Sequence, residues 1–261
     1  MELNLNERRA LITGGSRGRG RAMAETFARA GADVVIVGRD EQALGDATSA
    51  LEQIRPSGQF LGISADIANP DEIAELHHKA ESFFGSVEIL VNNAGTSNAK
   101  PFLEVTDADW LEDFNLKFFS AAKLCQLCIP GMQRAGWGRI INTLNSAAKA
   151  PGAKTCPTSA ARAAGMAMTK ALATEFASDG ILVNALNTGF LVSHQWRTRW
   201  QSESTGKTFD EFVESIGQNI PIGRMGEAHE FANLALFLAS DGASYLTGAS
   251  INIDGGLTPV V

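Results

Sequence analysis

A regular alternation of short apolar runs with longer helical stretches constrains the fold of this chain more than any other feature. Candidate strands, marked by short apolar runs, occupy residues 10–13, 33–37, 60–64, 89–92, 139–144, 182–186 and 250–253. Helical stretches occupy residues 19–30, 41–54, 71–84, 107–135, 158–178 and 227–239. Residues 34–37 are apolar without a break, which is typical of a strand covered on both faces. The alternation therefore predicts an α/β fold with a parallel sheet between two layers of helices.

The length and the composition favour one globular domain over residues 1–261. The chain of 261 residues has no internal repeat, low-complexity segment or convincing linker. Its formal net charge of −7 argues against a nucleic-acid partner and against binding to an anionic membrane. No apolar run approaches the roughly 20 residues of a membrane span, and residues 1–10 lack the apolar stretch of a signal peptide. We therefore expect a cytoplasmic protein.

The cysteines also fit a reducing compartment, because three of them leave at least one thiol unpaired. Cys125 and Cys128 have Cys-x-x-Cys spacing, but they lie within a predicted helix and are flanked by leucines. Small buried side chains explain this pattern better than redox or metal chemistry does. The sequence therefore predicts no metal site.

A glycine-rich turn follows the first predicted strand and opens the first predicted helix. Gly14, Gly18 and Gly20 have the spacing Gly-x-x-x-Gly-x-Gly. Glycines let the backbone come close to a pyrophosphate, and a helix N-terminus offers amides and positive potential to it. Ordinary turns need glycine as well, so this loop indicates a dinucleotide site only together with the motifs that follow it.

Three further motifs follow in order along the chain. Residues 92–95 read Asn-Asn-Ala-Gly, residues 114–117 read Phe-Asn-Leu-Lys, and residues 245–248 and 252–256 read Tyr-Leu-Thr-Gly and Asn-Ile-Asp-Gly-Gly. With these motifs at these distances, the sequence resembles the short-chain dehydrogenase/reductase family over essentially its full length. The resemblance implies a Rossmann-type, doubly wound, seven-stranded parallel sheet that binds a nicotinamide dinucleotide. The cofactor-binding residues expected here are Gly14, Ser16, Arg17, Gly18, Arg19, Gly20, Arg39, Asp66, Ile67, Asn92, Ala94, Gly95, Gly189 and Ser193.

The residues after the second strand favour NADP(H) over NAD(H). Enzymes that use NAD place a carboxylate there to hold the ribose 2′-hydroxyl, whereas this chain has Gly38 followed by Arg39. A 2′-phosphate would pair with the guanidinium of Arg39, and Arg17 supplies a second basic group in the glycine loop. In the alternative, both arginines are solvated surface charges. Arg19 replaces the aliphatic residue usual in the family, and either adds positive charge near the pyrophosphate or obstructs part of the pocket.

The resemblance also shows where the catalytic residues are expected to lie. The family uses a tyrosine that gives the proton, a lysine, a serine and an asparagine. The usual spacing places Asn145 at the serine position, Thr158 at the tyrosine position and Arg162 at the lysine position, while Asn115 is the retained asparagine. A shift of one residue would put Ser146 at the serine position instead. The chain's one tyrosine, Tyr245, lies far from this segment in sequence.

These replacements change the chemistry that the site can perform. The hydroxyl of Thr158 is much less acidic than a phenol, and the guanidinium of Arg162 stays protonated and cannot relay protons. The amide of Asn145 can still polarise an oxygen, as a donor in an oxyanion hole does. The site thus keeps its electrostatic groups and loses its proton donor, which water or a lid residue would have to replace.

We therefore expect an NADP(H)-dependent oxidoreductase that acts on a carbonyl or alcohol through an atypical site. Two alternatives remain open, namely an inactive NADP-binding pseudoenzyme and a non-redox lyase or isomerase that uses the same pocket. A substrate lid is expected at about residues 190–220, over a small-molecule substrate. Its aromatic residues and arginines fit an apolar anion, or they pack on one another. The small residues of the helix from Thr158, and the family's habit, predict a homotetramer or homodimer.

Overall fold

The computed structural model describes residues 3–203 and 206–261, and it contains a parallel sheet of seven strands. The strands are β1 (Arg9–Thr13), β2 (Asp33–Gly38), β3 (Phe60–Ser64), β4 (Ile89–Asn92), β5 (Gly138–Asn145), β6 (Ile181–Thr188) and β7 (Ser250–Ile253). Their order is β3-β2-β1-β4-β5-β6-β7, and every neighbouring pair is parallel. The predicted Rossmann-type, doubly wound sheet is confirmed, with the change of winding direction between β1 and β4.

Helices cover both faces of the sheet. They are α1 (Gly18–Arg29), α2 (Glu41–Ile54), α3 (Pro70–Phe84), α4 (Asp107–Phe114), α5 (Ser120–Ala135), α6 (Thr158–Phe176), α7 (His194–Glu203), α8 (Phe209–Gly217) and α9 (Ala228–Ala239). One buried cluster joins the sheet to α1, α2 and α9, and a second joins it to α3, α5 and α6. None of the helices described is both long enough and apolar enough to cross a lipid bilayer.

The unbroken apolar runs of the strands follow from this two-sided burial. In β1, Ile12 belongs to the cluster of α1 and α9, while its neighbour Leu11 belongs to the cluster of α3 and α5. Ile36 and Val35 of β2 divide in the same way. Because successive strand residues point to opposite faces, both sets must be apolar when both faces are covered.

The predicted helix 107–135 is interrupted in the structure. A π-helical segment, Asn115–Phe119, separates α4 from α5. A π-helical turn takes one residue more than an α-helical turn, so the residues that follow it face a different direction. A hydrophobic pattern with a period of 3.6 residues does not reveal such a segment. The interruption matters because it lies beside the candidate active site.

A buried chain of polar contacts ties the sheet to α6. Asn92 Nδ2 donates to Asn142 Oδ1 at 2.9 Å, and Asn142 Nδ2 donates to Thr169 Oγ1 at 2.9 Å. Thr169 Oγ1 in turn donates to the carbonyl of Gly165 at 2.8 Å. At Gly165 an added Cβ would lie 2.9 Å from the Leu144 side chain, so this helix packs closely on β5. The contacts fix the position of the helix whose first turns carry Thr158 and Arg162.

We predict that Asn142→Leu lowers the free energy of unfolding by about 2–3 kcal/mol, because it removes two buried hydrogen bonds, one from Asn92 Nδ2 and one to Thr169 Oγ1. Urea denaturation would measure the loss. The neighbouring substitution Ile141→Val is the control, and it should cost only about 0.5–1.5 kcal/mol. If Asn142→Leu costs no more than Ile141→Val does, the polar chain does not anchor α6.

Candidate active site

The candidate site residues lie at the carboxyl edge of the sheet. The glycine loop follows β1, Gly38 ends β2, Asn92 ends β4 and Asn145 ends β5. Ligands of open α/β sheets bind in the crevice outside this edge, where the winding direction changes. The structure therefore brings the predicted cofactor and catalytic residues to one side of the molecule.

The glycine loop forms a cradle in which side chains would not fit. Gly14 and Gly18 have φ values of +65° and +55°, and a Cβ on Gly20 would lie 2.0 Å from the carbonyl oxygen of Gly14. At the N-terminus of α1, Arg17 occupies the cap position but its side chain makes no capping hydrogen bond. The amides of the first turn are thus left to an incoming anion. These residues fit the pyrophosphate of a dinucleotide.

Asn93 fastens this loop to the sheet. Asn93 Nδ2 donates to the carbonyls of Thr13 and Gly14 at 2.9 and 3.2 Å. The hydroxyl of Thr13 accepts the backbone N–H groups of Asn93 and Ala94. Asn92 is buried, and its amide donates to Asn142 as described above. The sequence shows two adjacent asparagines but does not show which of them turns toward the loop.

The corner at the end of β2 has the charges expected for a phosphate ligand, with one complication. A Cβ on Gly38 would lie 3.1 Å from Ser16 Oγ, so the backbone is close to the loop here. Arg39 is exposed, whereas the guanidinium of Arg17 is paired with Asp40 at 2.5 Å. Asp40 also accepts the backbone N–H of Ala43, and these two contacts lower the pKa of its carboxyl. A ligand phosphate would have to compete with Asp40 for Arg17.

The remaining predicted cofactor residues follow the carboxyl ends of β3 and β6. Asp66 accepts the backbone N–H of Ala68 at 3.0 Å, and Ile67 beside it is buried. Gly189 lies against Asp254, whose Cβ would be only 2.5 Å from a Cβ added at Gly189. Ser193 is half-buried directly before α7.

The first two turns of α6 direct Thr158 and Arg162 to the same buried place. The two residues are four apart and therefore share one face of the helix. Thr158 Oγ1 accepts the backbone N–H of Asn98 at 3.0 Å, and Arg162 Nη1 donates to the carbonyl of Thr143 at 2.7 Å. A Cβ on Gly95 would lie 2.4 Å from Arg162 Nη2, so the absence of a side chain at Gly95 makes room for the guanidinium.

The structure places Lys117, rather than the predicted Asn115, beside Thr158. Asn115 is exposed, whereas Asp113 and Lys117, on either side of it, are buried. The ammonium of Lys117 donates to the carboxylate of Asp113, and its Nζ lies 3.4 Å from Thr158 Oγ1. Residues four apart on a helix share a face, and the residue midway between them points elsewhere. The role expected of Asn115 stays a prediction, and the sequence signal for the buried pair was two opposite charges four residues apart among aromatic residues.

Burial and neighbouring positive charges lower the pKa values of the cationic side chains near Thr158. Burial, followed by the positive charge of Arg162, lowers the pKa of the Lys117 ammonium, whereas the carboxylate of Asp113 favours the charged form. Burial, followed by the charge of Arg19, lowers the pKa of Arg162 to about 9. Burial also lowers the pKa of Arg19 to about 10, and its guanidinium lies 5.4 Å from the ring centre of Phe231. Positive potential is thus concentrated in the crevice.

Asn145 ends β5 and is half-buried, and its Oδ1 has no hydrogen-bond partner among the residues that the structure describes. Ser146 directly follows and begins a short 3₁₀ turn. Both residues therefore lie at the carboxyl edge, and the contacts do not choose between them for the role that the family gives to serine.

The lid segment contains α7 and α8, and residues 204 and 205 within it lie outside the described part of the chain. Its aromatic side chains pack on one another. The ring centres of Phe190 and Trp196 are 5.1 Å apart, and those of Trp200 and Phe209 are 5.8 Å apart. Arg197 stacks on Phe209 at 4.1 Å. These contacts favour the alternative that the lid packs its own aromatic residues, rather than offering them with the arginine to an anionic substrate.

The Cys-x-x-Cys pair lies in the core. Cys125 and Cys128 are both buried, and Cys125 Sγ accepts from Asn92 Nδ2 at 3.6 Å. Burial raises the pKa of the Cys125 thiol to about 12, which keeps it protonated at neutral pH. These thiols pack as small core side chains.

Comparison with known proteins agrees with this architecture. A family model described as enoyl-(acyl carrier protein) reductase matches residues 14–258. The 3-oxoacyl-(acyl-carrier-protein) reductase FabG of Pseudomonas aeruginosa is 34% identical over 257 residues, which are 98% of this chain and 99% of the relative. Among solved structures, L-sorbose reductase from Gluconobacter frateurii, complexed with NADPH and L-sorbose, has a TM-score of 0.96 at 32% identity, with 100% of both chains covered.

A second similar structure is the NADPH-bound short-chain oxidoreductase from Pseudomonas aeruginosa PAO1, which contains an atypical catalytic centre. It has a TM-score of 0.92 at 34% identity, and the match covers 99% of each chain. Family model, relatives and structures therefore agree along nearly the whole length. On these grounds the chain belongs to the short-chain dehydrogenase/reductase family.

Proposed function

We propose that this protein is an NADP(H)-dependent oxidoreductase that interconverts a carbonyl and an alcohol through a site without the family's tyrosine and lysine. The observation that carries the proposal is the buried cluster of Thr158, Arg162 and Lys117, which adjoins the glycine cradle through Gly95. Two similar proteins, the sorbose reductase and the Pseudomonas oxidoreductase, are described with NADPH bound, and the second has an atypical centre of its own. The one tyrosine of this chain, Tyr245, is fully exposed.

The chain's own residues fit the dinucleotide in the order expected for the family. Gly14, Gly18 and Gly20 would hold the pyrophosphate, and Arg17 and Arg39 the 2′-phosphate. The adenine, the nicotinamide ribose and the carboxamide would meet the remaining residues, which are Ser16, Asp66, Ile67, Asn92, Ala94, Gly95, Gly189 and Ser193. When bound, the reduced cofactor supplies a hydride to the carbonyl carbon.

Arg19 fits as a further ligand of the cofactor's negative charge. Burial lowers the pKa of Arg162, and the positive charge of Arg19 lowers it further. A pyrophosphate between them would relieve this repulsion, because charge-assisted hydrogen bonds to phosphate are strong. This reading favours the first of the two roles expected for Arg19, in which it attracts the cofactor rather than obstructing it.

The substrate oxygen would lie among Asn145, Thr158 and Arg162. The amide of Asn145 and the hydroxyl of Thr158 can donate hydrogen bonds to it, and Arg162 stabilises negative charge on it without giving up a proton. Asn115 is exposed in the helical segment next to this cluster, and its part in catalysis stays a prediction.

A homodimer or homotetramer remains our proposal for the assembly. Large apolar side chains are exposed on one side of the molecule around α4, including Phe102, Leu103, Leu111 and Phe119. Exposed apolar groups of this kind commonly mark protein contacts.

We predict that NADPH binds more tightly than NADH, and that Arg39→Met weakens NADPH binding roughly ten-fold or more while leaving NADH binding unchanged. The reason is that Arg39 would hold the 2′-phosphate, which NADH lacks. Titration followed by nicotinamide fluorescence would measure both constants. Arg29→Met, which removes another exposed arginine, is the control. Absence of binding by either dinucleotide would refute the proposed function.

We predict that Asp40→Asn tightens NADPH binding about two- to five-fold, because it frees Arg17 from its exposed ion pair and removes a negative charge near the expected 2′-phosphate. Asparagine also caps helices well, so α2 should keep its start. The same titration measures the effect, and Asp46→Asn on the next turn of α2 is the matched control. Unchanged NADPH affinity in Asp40→Asn would mean that Arg17 does not hold the phosphate.

We predict that Thr158→Val lowers carbonyl reduction about 10²- to 10⁴-fold and leaves the NADPH dissociation constant unchanged, because it removes the hydroxyl but keeps the volume. NADPH oxidation with L-sorbose and with a 3-oxoacyl thioester, the substrate types named for the relatives, provides the assay. Thr158→Ser should retain part of the rate, and Thr174→Val on the same helix should retain all of it. Product formation without a change in nicotinamide absorbance would favour a lyase or isomerase instead.

A further inference from the structure

Lys117 and Asp113 form a buried ion pair that the proposed function leaves without a task. The side chain of Lys117 is fully enclosed, and that of Asp113 is 2% exposed. The pair four residues apart in α3, Lys79 and Glu75, lies in solvent instead. Removing two charges from water costs free energy that apolar side chains in the same place would avoid. A chemical role for the buried pair would account for its presence beside Thr158.

We propose that Lys117 is the proton source of the reaction and delivers its proton to the substrate oxygen through the hydroxyl of Thr158. The proposal rests on the carbonyl–alcohol chemistry put forward above. A hydroxyl has one hydrogen to donate and two lone pairs that accept. The backbone N–H of Asn98, at 3.0 Å, and Lys117 Nζ, at 3.4 Å, supply donors to those lone pairs.

The hydrogen of Thr158 is therefore left to donate. The acceptor that the structure offers it is Asp113 Oδ1, at the long distance of 3.5 Å. A carbonyl oxygen at an ordinary hydrogen-bond distance of about 2.7 Å would be a better acceptor. The Thr158 hydroxyl can thus donate its proton to the substrate oxygen and accept another from Lys117.

The proton balance of this step is simple, because the reduced dinucleotide is the reductant and the protein has to supply only a proton. The O–H bond of Thr158 breaks as its proton moves to the substrate oxygen. At the same time an N–H bond of Lys117 breaks, and that proton moves to Thr158 Oγ1. Lys117 is left as a neutral amine, which regains a proton from solvent after the alcohol leaves. In alcohol oxidation the same path runs in reverse.

The charges around Lys117 suit a proton that must leave and return. Arg162 of α6 faces it and favours the neutral amine, whereas Asp113 and Glu112 of α4 favour the ammonium. Arg19 of α1 acts on Arg162. Burial and Arg162 together lower the pKa of Lys117 to about 7, which is near the value that serves a general acid best at neutral pH. Reduction needs the protonated form, so its rate should fall as the pH rises through this pKa.

The first test is the pH profile of NADPH-dependent reduction by the complete protein. The wild type should be most active below about pH 7 and lose activity above it. Lys117→Met should lose about 10²- to 10³-fold of the rate and lose this pH dependence as well. Lys79→Met, from the exposed pair in α3, should behave as the wild type does. A wild-type rate and profile in Lys117→Met would overturn the proposal.

Chemical rescue separates a proton source from a charge that only holds the pocket in shape. Added ethylammonium should restore at least ten-fold of the rate lost in Lys117→Ala, because it brings both charge and a transferable proton. Tetramethylammonium brings the charge alone and should restore nothing. Equal rescue by both ions, or rescue by neither, would overturn the proposal.

Folding is controlled by the double variant Asp113→Asn, Lys117→Met, which removes both charges and leaves no buried carboxylate unpaired. It should bind NADPH as the wild type does and still lack the rate. A reduction rate equal to that of the wild type would overturn the proposal.

A readout independent of turnover comes from nuclear magnetic resonance of the protein without cofactor. With ¹³C-labelled lysine, the signal missing in Lys117→Met should titrate well below the usual range of a lysine, with a pKa of about 7. If that signal titrates in the usual range, Lys117 has no unusual acidity and the proposal fails.

The outcomes also distinguish this proposal from the function on which it rests. Wild-type reduction that does not depend on Lys117 refutes only the proton source. NADPH binding without turnover of any carbonyl or alcohol refutes the proposed reaction and the proton source together.

Discussion

The burial of two cations next to each other is the constraint on which the rest of the site depends. Lys117 and Arg162 are both buried, and the positive charge of Arg162 makes the charged state of Lys117 less favourable. Asp113 compensates part of this charge, and the carbonyl of Thr143 satisfies one arm of Arg162. The uncompensated positive charge lies where little water can screen it. Such a charge stabilises a substrate oxygen that becomes negative during the reaction.

The fold can hold these cations because the surrounding backbone is rigid and closely packed. Thr143 lies in β5, a strand buried along nearly its whole length, and its carbonyl cannot move to follow Arg162. Gly95 leaves the space for the guanidinium, and the chain from Asn142 to Thr169 fixes α6 against the sheet. Because these groups are held in fixed positions, their hydrogen bonds can persist without water molecules between them.

Much of this architecture was predictable from the sequence, and the exceptions have physical causes. The strands at residues 60–64, 89–92 and 250–253 agree with the structure at both ends. The glycine loop was predictable because positive φ values and close backbone contacts require glycine at these positions. The π-helical segment was not, since a change in helical pitch leaves the composition unaltered. Whether Asn92 or Asn93 faces the loop depends on how the strand ends, which no periodicity records.

In the proposed site Thr158 takes the place of the family's tyrosine, which changes the distances that the site must bridge. A threonine hydroxyl stays close to the helix backbone, whereas a phenol reaches far beyond it and carries its own acidic proton. Lys117 reaches the same hydroxyl from the neighbouring helix through four methylene groups, and places an ammonium behind it. In the proposed relay, the hydroxyl that faces the substrate and the acidic proton behind it thus belong to two residues on two helices. Such a division makes the alignment of α4 with α6 part of the chemistry, and the π-helical segment that contains Lys117 sets that alignment.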